Sequence, residues 1–127
     1  MYIKSTKWDK VFSKYVRTRD LWTCQRCGSV HLPTSQGLHN SHFVGRGKYA
    51  TRFDEDNCEA LCYGCHRHLG SNPVLHKDHK VEKLGQERFD ALMERSRQLT
   101  KRNKVLTKEF YVTLKQKLRE INGKTNN

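Results

Sequence analysis

Two Cys-x-x-Cys pairs constrain this chain of 127 residues more than any other feature of its sequence. The pairs are Cys24 with Cys27 and Cys62 with Cys65. Each pair can present two sulfurs from one tight turn, and four thiolates form the closed tetrahedral shell of a structural zinc site. Disulfides are the alternative, but they persist mainly in oxidising compartments, and the sequence shows no apolar signal-peptide stretch that would direct the chain to one. We therefore expect one structural Zn²⁺ held by all four cysteines.

The apolar content is low for a folded chain. Hydrophobic residues make up 35% of the sequence, whereas ordinary domains have roughly 45–50% with glycine included. A small core needs an additional crosslink such as a bound metal, which also favours zinc. Cys58 lies outside the two pairs, and we expect it to be a small buried hydrophobe. The length predicts a single domain over residues 1–127. Without a run of ~18 apolar residues, we expect a cytoplasmic protein with no membrane partner.

The charge predicts a polyanionic partner. Lys and Arg number 25 against 13 Asp and Glu, for a net +12, and zinc on four thiolates would change this by −2, to about +10. Such a field attracts the phosphate backbone of DNA without reading its sequence. A solvated basic surface is the alternative interpretation.

Apolar periodicity predicts an α+β chain in three parts. The first is an N-terminal helix over residues 6–20, with Trp8, Phe12 and Val16 on its apolar stripe. The second is a zinc-bound core over residues 22–70. In it we expect a strand over 38–44, a cation-rich turn over 45–48, a second strand around 49–53, an acidic turn over 54–56 and a helix from 61 or 62 to 69.

The third part is a helical, basic extension over residues 74–122. We predict helices over 80–98, with Gly85 as a candidate interruption, and over 107–121, and a frayed end from 123 to 127. Residues 95–119 carry nine cations and one acid, Glu109. This region is either a DNA-contacting arm or a solvated helical face.

Polar residues capable of chemistry lie between and beside the cysteine pairs. The first strand carries His39, Ser41 and His42, and His66 directly follows Cys65. Strand and helix packed on one zinc would place His42 and His66 on facing elements, where one can accept a proton and the other can hold a metal ion. The alternative for His42 is a strand histidine satisfied by a backbone carbonyl.

Asn57 must lie outside the helix that carries His66 if the two share a site, because nine residues at about 100° each would put them on opposite faces. It could also simply cap that helix. His68, His76 and His79 are expected at the surface.

These motifs resemble the HNH, or ββα-metal, endonuclease superfamily. The ending in which Asn57 is followed by Cys62, Cys65 and His66 is similar to that of the superfamily, whose treble-clef-like fold wraps a hairpin and helix on zinc. Further segments look like the phage recombination branch, the NinG or Rap type, with coverage of roughly residues 8 to 120. They are FSKYVRTRDLWTCQRCG, SHFVGRGKYATRFDEDN and LCYGCHRHLGSNP.

The resemblance implies a metal-dependent DNA endonuclease. His42 would be the general base, His66 a ligand of a catalytic divalent ion, and Asn57 a brace for the loop and for His42. Many relatives have an acid or histidine where this chain has Ser41, a weak ligand. The ion would then rely on His66, phosphate oxygens and water, or recruit His39 or an acid from 54–56; Mg²⁺ or Mn²⁺ is expected, and imidazoles would also accept nickel or zinc.

Three basic residues are expected to contact DNA. Arg46 and Lys48 lie in the predicted hairpin turn, and Arg52 could either contact a phosphate or pair with Asp54. Two rival functions stay open at this point, a zinc-stabilised DNA-binding module without catalysis and a protein-interaction adaptor. A homo-oligomer is compatible with the sequence. If the protein is phage-encoded, we expect it to act in the host cytoplasm. Its DNA substrate could include branched or structured forms.

Overall fold

The structure is a computed structural model that describes residues 3–125. Within that range the chain is a mostly helical α+β fold with a two-stranded antiparallel sheet. No helix in this range is long and apolar enough to cross a membrane. The elements in chain order are α1 (Lys7–Arg19), β1 (Leu38–His42), α2 (Tyr49–Arg52), β2 (Cys58–Cys62), α3 (Tyr63–Gly70), α4 (Pro73–Leu84), α5 (Gln86–Ser96), α6 (Arg102–Val105) and α7 (Lys108–Thr125).

Helix α1 begins where the sequence predicts because Thr6 and Asp9 form a capping box. The Asp9 backbone N–H donates to Thr6 Oγ1 over 3.3 Å, and the Thr6 N–H donates to Asp9 Oδ2 over 2.7 Å. These bonds satisfy N–H groups that the start of a helix otherwise leaves unpaired. Phe12 and Val16 on the inner face are buried, which confirms the predicted apolar stripe.

The second strand lies further along the chain than predicted. β1 pairs with β2 from Leu38↔Cys62 to His42↔Cys58, whereas residues 49–52 form the short helix α2. The predicted strand around 49–53 is therefore wrong, and β1 ends two residues before the predicted limit of 44. Packing explains the difference, because four of the five β2 residues are buried and such burial outweighs local strand preference.

The outer edge of β2 is covered by the segment that follows α1. Arg19 Nη2 donates to the Cys58 carbonyl over 2.8 Å, and the Ala60 N–H donates to Asp20 Oδ2 over 2.8 Å. The Gln25 N–H donates to the Ala60 carbonyl over 2.9 Å. These contacts satisfy backbone groups that an open strand edge would offer to another chain.

Two helices replace the single one predicted over residues 80–98. Helix α4 starts at Pro73, and Gly85 separates it from α5, which confirms the predicted interruption. Helix α7 runs to Thr125, so residues 123–125 are helical rather than frayed, while 126 and 127 lie outside the described residues. Leu114 on the inner face of α7 is buried against α1.

Two apolar clusters form the core. The first surrounds the cysteine pairs and contains Trp22, Cys24, Leu38, Ala60, Leu61, Cys65 and Leu69. The second joins α1 to α7 and contains Phe12, Val16, Cys58 and Leu114. Cys58 is 1% exposed and burial raises its pKa well above the usual thiol range, as expected for a small buried hydrophobe.

We expect Gly85→Ala to lower the free energy of unfolding by about 1–3 kcal/mol. Gly85 has φ 83° and ψ 156°, a backbone region essentially restricted to glycine, although a methyl group would meet open space. Urea denaturation measures the change. The control Gly70→Ala, at the end of α3 and also facing open space, should be neutral or slightly stabilising. Equal effects of the two substitutions would contradict a backbone origin.

Candidate functional site

Four cysteine sulfurs converge at the base of the sheet. Cys24 and Cys27 come from a tight turn, Cys62 ends β2, and Cys65 lies in the first turn of α3. The four Sγ atoms lie within 4.8 Å of one another, and those of Cys27 and Cys62 are 3.8 Å apart. Zinc bonded tetrahedrally to sulfur at about 2.3 Å requires neighbouring sulfurs about 3.8 Å apart. The cluster therefore suits a zinc ion.

Local groups act in opposite directions on the thiols of this cluster, because burial raises the pKa of Cys65 to about 12 while the pKa of Cys27 is lowered. A bound zinc ion would itself favour the thiolate form of Cys65. The hydroxyl of Ser29 lies 3.3 Å from Cys27 Sγ and, with smaller contributions from neighbouring groups, lowers the pKa of Cys27 to about 6. Arg26 Nη1 donates to Cys65 Sγ over 3.4 Å. Cys62 Sγ accepts the Cys65 backbone N–H over 3.4 Å, which caps the start of α3.

A cleft of about 610 Å³ lies beside the cluster, between α1, β1 and α3. It brings together the three histidines that the sequence analysis placed near the site. The lining residues are Ser5, Asp9, Lys10, Ser13, Arg17, Gln36, Leu38, His39, Asn40, His42, Arg46 and His66. Of the twelve, Lys10 and Arg17 could be anticipated only from the cationic outer face of α1.

His42 is held in one tautomer at the end of β1. Its Nε2 lies 2.9 Å from the carbonyl oxygen of Arg52, which can only accept a hydrogen bond. Nε2 therefore carries a proton, and in the neutral ring Nδ1 keeps its lone pair. Burial lowers the pKa of His42 to about 4, so the ring is neutral at physiological pH.

Asn57 fastens the loop between β1 and α2. It lies outside α3, as predicted, and is 0% exposed. Its Oδ1 accepts the Val44 N–H over 2.7 Å, and its Nδ2 donates to the carbonyls of Val44 and Thr51, each over 3.0 Å. The side chain thereby joins the start of this loop to α2, whose last residue, Arg52, accepts the His42 hydrogen bond.

His66 lines the same cleft from the first turn of α3, where it packs against β1. Its Nδ1 is 3.0 Å from Oγ of the buried Ser41. When Nδ1 carries the proton, Ser41 orients the ring and Nε2 keeps the lone pair that a metal ion needs. The His39 ring is parallel to it, with centroids 5.4 Å apart. Desolvation lowers the pKa of both histidines, and the charge of His39 lowers that of His66 further.

The acids at 54–56 form ion pairs and hydrogen bonds outside this cleft. The prediction that one of them could bind a catalytic ion is therefore not supported. Asp54 pairs with Arg95 over 2.7 Å, and Asp56 pairs with Arg88. Glu55 accepts hydrogen bonds from Tyr15 and Lys117. Among residues 3–125, the carboxylate that lines the cleft is that of Asp9.

Arg52 corrects another prediction. It is 1% exposed, and its Nη2 and Nε donate to the Asp9 carboxylate over 2.7 and 2.9 Å. Neither the predicted phosphate contact nor the predicted pairing with Asp54 is compatible with this burial. Asp9 and Arg52 carry opposite charges, but they lie 43 residues apart, so local sequence patterns do not reveal that they form a pair. Arg46 lines the cleft and Lys48 is exposed, so both stay candidates for DNA contact.

The fold and the cysteine cluster define a small basic α+β protein with a site suited to structural zinc. Residues 2–124 match the family model described as Bacteriophage Lambda NinG protein, and the chain belongs to that family. No curated protein and no solved structure matches the chain. The NinG part of the resemblance noted in the sequence is thus confirmed over nearly the whole chain.

We expect Cys62→Ser to lose zinc and unfold, because metal binding to such a cluster contributes directly to folding free energy. Zinc content by elemental analysis and helicity by circular dichroism measure the two effects. Cys58→Ala is the matched control, since Cys58 is a buried cysteine outside the cluster. It should keep one zinc per chain even if packing is weakened. A folded, zinc-free Cys62→Ser protein would exclude a structural zinc.

We expect Arg52→Met to lower the free energy of unfolding by about 3–5 kcal/mol, because it leaves the Asp9 carboxylate buried without its partner. The double variant with Asp9→Leu should recover much of that loss. Burial alone raises the pKa of Asp9, but hydrogen bonds from Arg52 and Thr6 outweigh it and hold the pKa below its ordinary value of 3.8. This stabilisation is present above pH 3.8 and is lost as pH falls through the folded-state pKa.

Urea denaturation at neutral and acidic pH checks both expectations. Arg97→Ala is the control, because Arg97 pairs with Glu94 at the surface and such pairs contribute at most about 1 kcal/mol. A loss for Arg52→Met no larger than that of the control would show that the buried pair has no structural importance.

Proposed function

We propose that the chain is a metal-dependent DNA endonuclease of the HNH type that acts in phage recombination or DNA processing. The observation that carries the proposal is that His42 and His66 line the same cleft. His42 is locked in the tautomer that leaves Nδ1 unprotonated, and His66 is oriented by Ser41. Family membership and the charge of +12 support a role on DNA.

His42 is the proposed general base. The hydrogen bond to the Arg52 carbonyl fits the alternative of a structurally satisfied strand histidine, but it occupies only Nε2. The remaining nitrogen belongs to a neutral ring that lines the cleft, which is the state a base needs before reaction. The negative charge of an incoming phosphate would raise the pKa of this ring and make it a stronger proton acceptor.

The proposed reaction is hydrolysis of a phosphodiester. His42 Nδ1 removes a proton from water, the hydroxide oxygen bonds to phosphorus, and the bond between phosphorus and the 3′ oxygen breaks. The 3′ oxygen leaves with a proton from solvent, so the products carry a 5′ phosphate and a 3′ hydroxyl. Asn57 ties the loop after β1 to α2, whose Arg52 carbonyl holds the His42 ring, and it acts as a positioning residue.

His66 is the proposed ligand of a catalytic divalent ion, with His39 beside it. Such an ion would stabilise negative charge on the scissile phosphate and the leaving oxygen. The available donors are imidazole nitrogens and a hydroxyl, while the Asp9 carboxylate is paired with Arg52. This set fits zinc or nickel better than the expected magnesium or manganese, which prefer carboxylates.

The DNA surface is proposed to follow the cleft rim. Lys10, Arg17 and Arg46 line the cleft, and the exposed Lys48 is close to Arg46 in the loop. Contacts of this kind position the phosphate backbone and carry no sequence information. A zinc-stabilised DNA-binding module is the second candidate, because charge and cysteines alone would serve it equally well.

We expect His42→Ala to reduce plasmid nicking by about 10²–10⁴-fold, the usual contribution of a general base. Supercoiled plasmid is incubated with zinc-loaded protein and, in separate reactions, with magnesium, manganese, nickel or added zinc. His68→Ala is the control, since His68 is an exposed histidine on the same helix as His66. It should nick as the unmodified chain does. Binding without nicking under every metal, or undiminished nicking by His42→Ala, would favour the non-catalytic module.

A further inference from the structure

A second groove lies on the other side of α1 from the histidine cleft. Its volume is about 490 Å³, within the range of about 300–1,000 Å³ usual for ligand sites. The lining residues are Trp8, Arg102, Asn103 and Leu106. At about 100° per residue, the cleft residues Asp9, Ser13 and Arg17 lie about 100–180° around the helix from Trp8. The two sites therefore share one helix as their common wall.

The Trp8 ring is a fixed surface in this groove. Its Nε1 donates to the Thr107 carbonyl over 2.9 Å, which ties α1 to the start of α7. The Tyr111 ring packs edge-on against it, with centroids 5.8 Å apart and planes at 72°. Trp8 is only partly buried, so part of the ring faces the groove. A held aromatic ring can bind a flat partner with little loss of side-chain entropy.

Cations surround the aromatic pair. Lys7 Nζ is 5.0 Å from the Trp8 ring and 4.5 Å from the Tyr111 ring, and Lys115 Nζ is 5.5 Å from the latter. Residues 101–108 add four more cations and contain no acid, the cations being Lys101, Arg102, Lys104 and Lys108. An aromatic ring framed by positive charge matches a nucleic-acid strand, whose bases stack while its phosphates contact the cations.

We propose that this aromatic groove binds an unpaired base of a DNA strand whose double-stranded part lies across the rim of the histidine cleft. The inference rests on the proposed DNA cleavage. A helix with side chains is about 10–12 Å across, or about three nucleotides at 3.4 Å each. The unpaired base would thus be a few nucleotides from the cut, and the preferred substrate is duplex DNA with a single-stranded tail.

Binding affinities test the proposal with the zinc-loaded full chain and no other divalent ion. Fluorescence anisotropy at one salt concentration compares three DNAs, namely a blunt duplex, the same duplex with a thymidine tail, and the same with a tail of abasic sugars. We expect the thymidine tail to strengthen binding at least about fivefold, because stacking on an aromatic residue contributes that much per base. The abasic tail keeps the phosphates, so it should lose most of the gain.

Two variants locate the effect on the groove. Trp8→Leu removes the stacking ring, and Arg102→Gln removes an exposed cation at low risk to folding. Both should reduce the tail preference, Trp8→Leu nearly completely, and leave affinity for the blunt duplex within about twofold. Lys77→Gln, an exposed charge on α4, is the control and should keep the full preference. Circular dichroism verifies that Trp8→Leu is folded.

Several outcomes would overturn the groove assignment, namely equal binding of tailed and blunt duplexes, equal binding of the two tails, or a full preference in both groove variants. These outcomes differ from failure of the proposed nuclease, which is measured by His42-dependent nicking of plasmid. A chain that nicks through His42 but ignores the tail keeps the nuclease and loses the groove.

Discussion

The buried ion pair between Asp9 and Arg52 is the contact on which the shape of the cleft depends. The guanidinium of Arg52 also donates to the carbonyls of Lys4 and Arg46, so one side chain joins the segment before α1, the loop after β1, and α2. The Arg52 carbonyl in turn accepts the His42 hydrogen bond. After desolvation, a buried pair contributes little net free energy. Its role here is to fix the position of α2, and α2 in turn fixes the His42 ring through the Arg52 carbonyl.

The cysteine cluster organises the other wall of the cleft. Cys24 and Cys65 belong to the same apolar cluster as Leu61 and Leu69, so the metal site and the core occupy one place. This matters in a chain whose hydrophobic content is only 35%, because a small core cannot fix a sheet of two strands unaided. His66 directly follows Cys65 and inherits its position from the cluster. The α3 side of the cleft thus depends on the four-cysteine cluster, and the α1 side depends on the buried pair of Asp9 and Arg52.

Features that depend on sequence neighbours could be predicted, whereas those that depend on distant partners could not. The cysteine spacing, the α1 stripe, the interruption at Gly85 and the location of Asn57 outside α3 all follow from local geometry. The sequence predicts a strand around residues 49–53, but residues 49–52 form a short helix in which Arg52 pairs with Asp9, far away in sequence. For the same reason the acids at 54–56 pair with Arg88, Arg95 and Lys117 from the C-terminal helices, which local patterns could not indicate.

The positions of the acidic residues affect how the proposed site would bind its metal ion. Asp9 is neutralised by Arg52, and the acids at 54–56 are paired outside the cleft, so among residues 3–125 the cleft is lined by no unpaired carboxylate. A divalent cation bound by His66 would be repelled by Arg17 and Arg46, which line the same cleft. A phosphate group would both offset those charges and supply oxygen ligands to the ion. In the proposed function, metal and DNA therefore strengthen each other's binding by the same factor, as thermodynamic linkage requires.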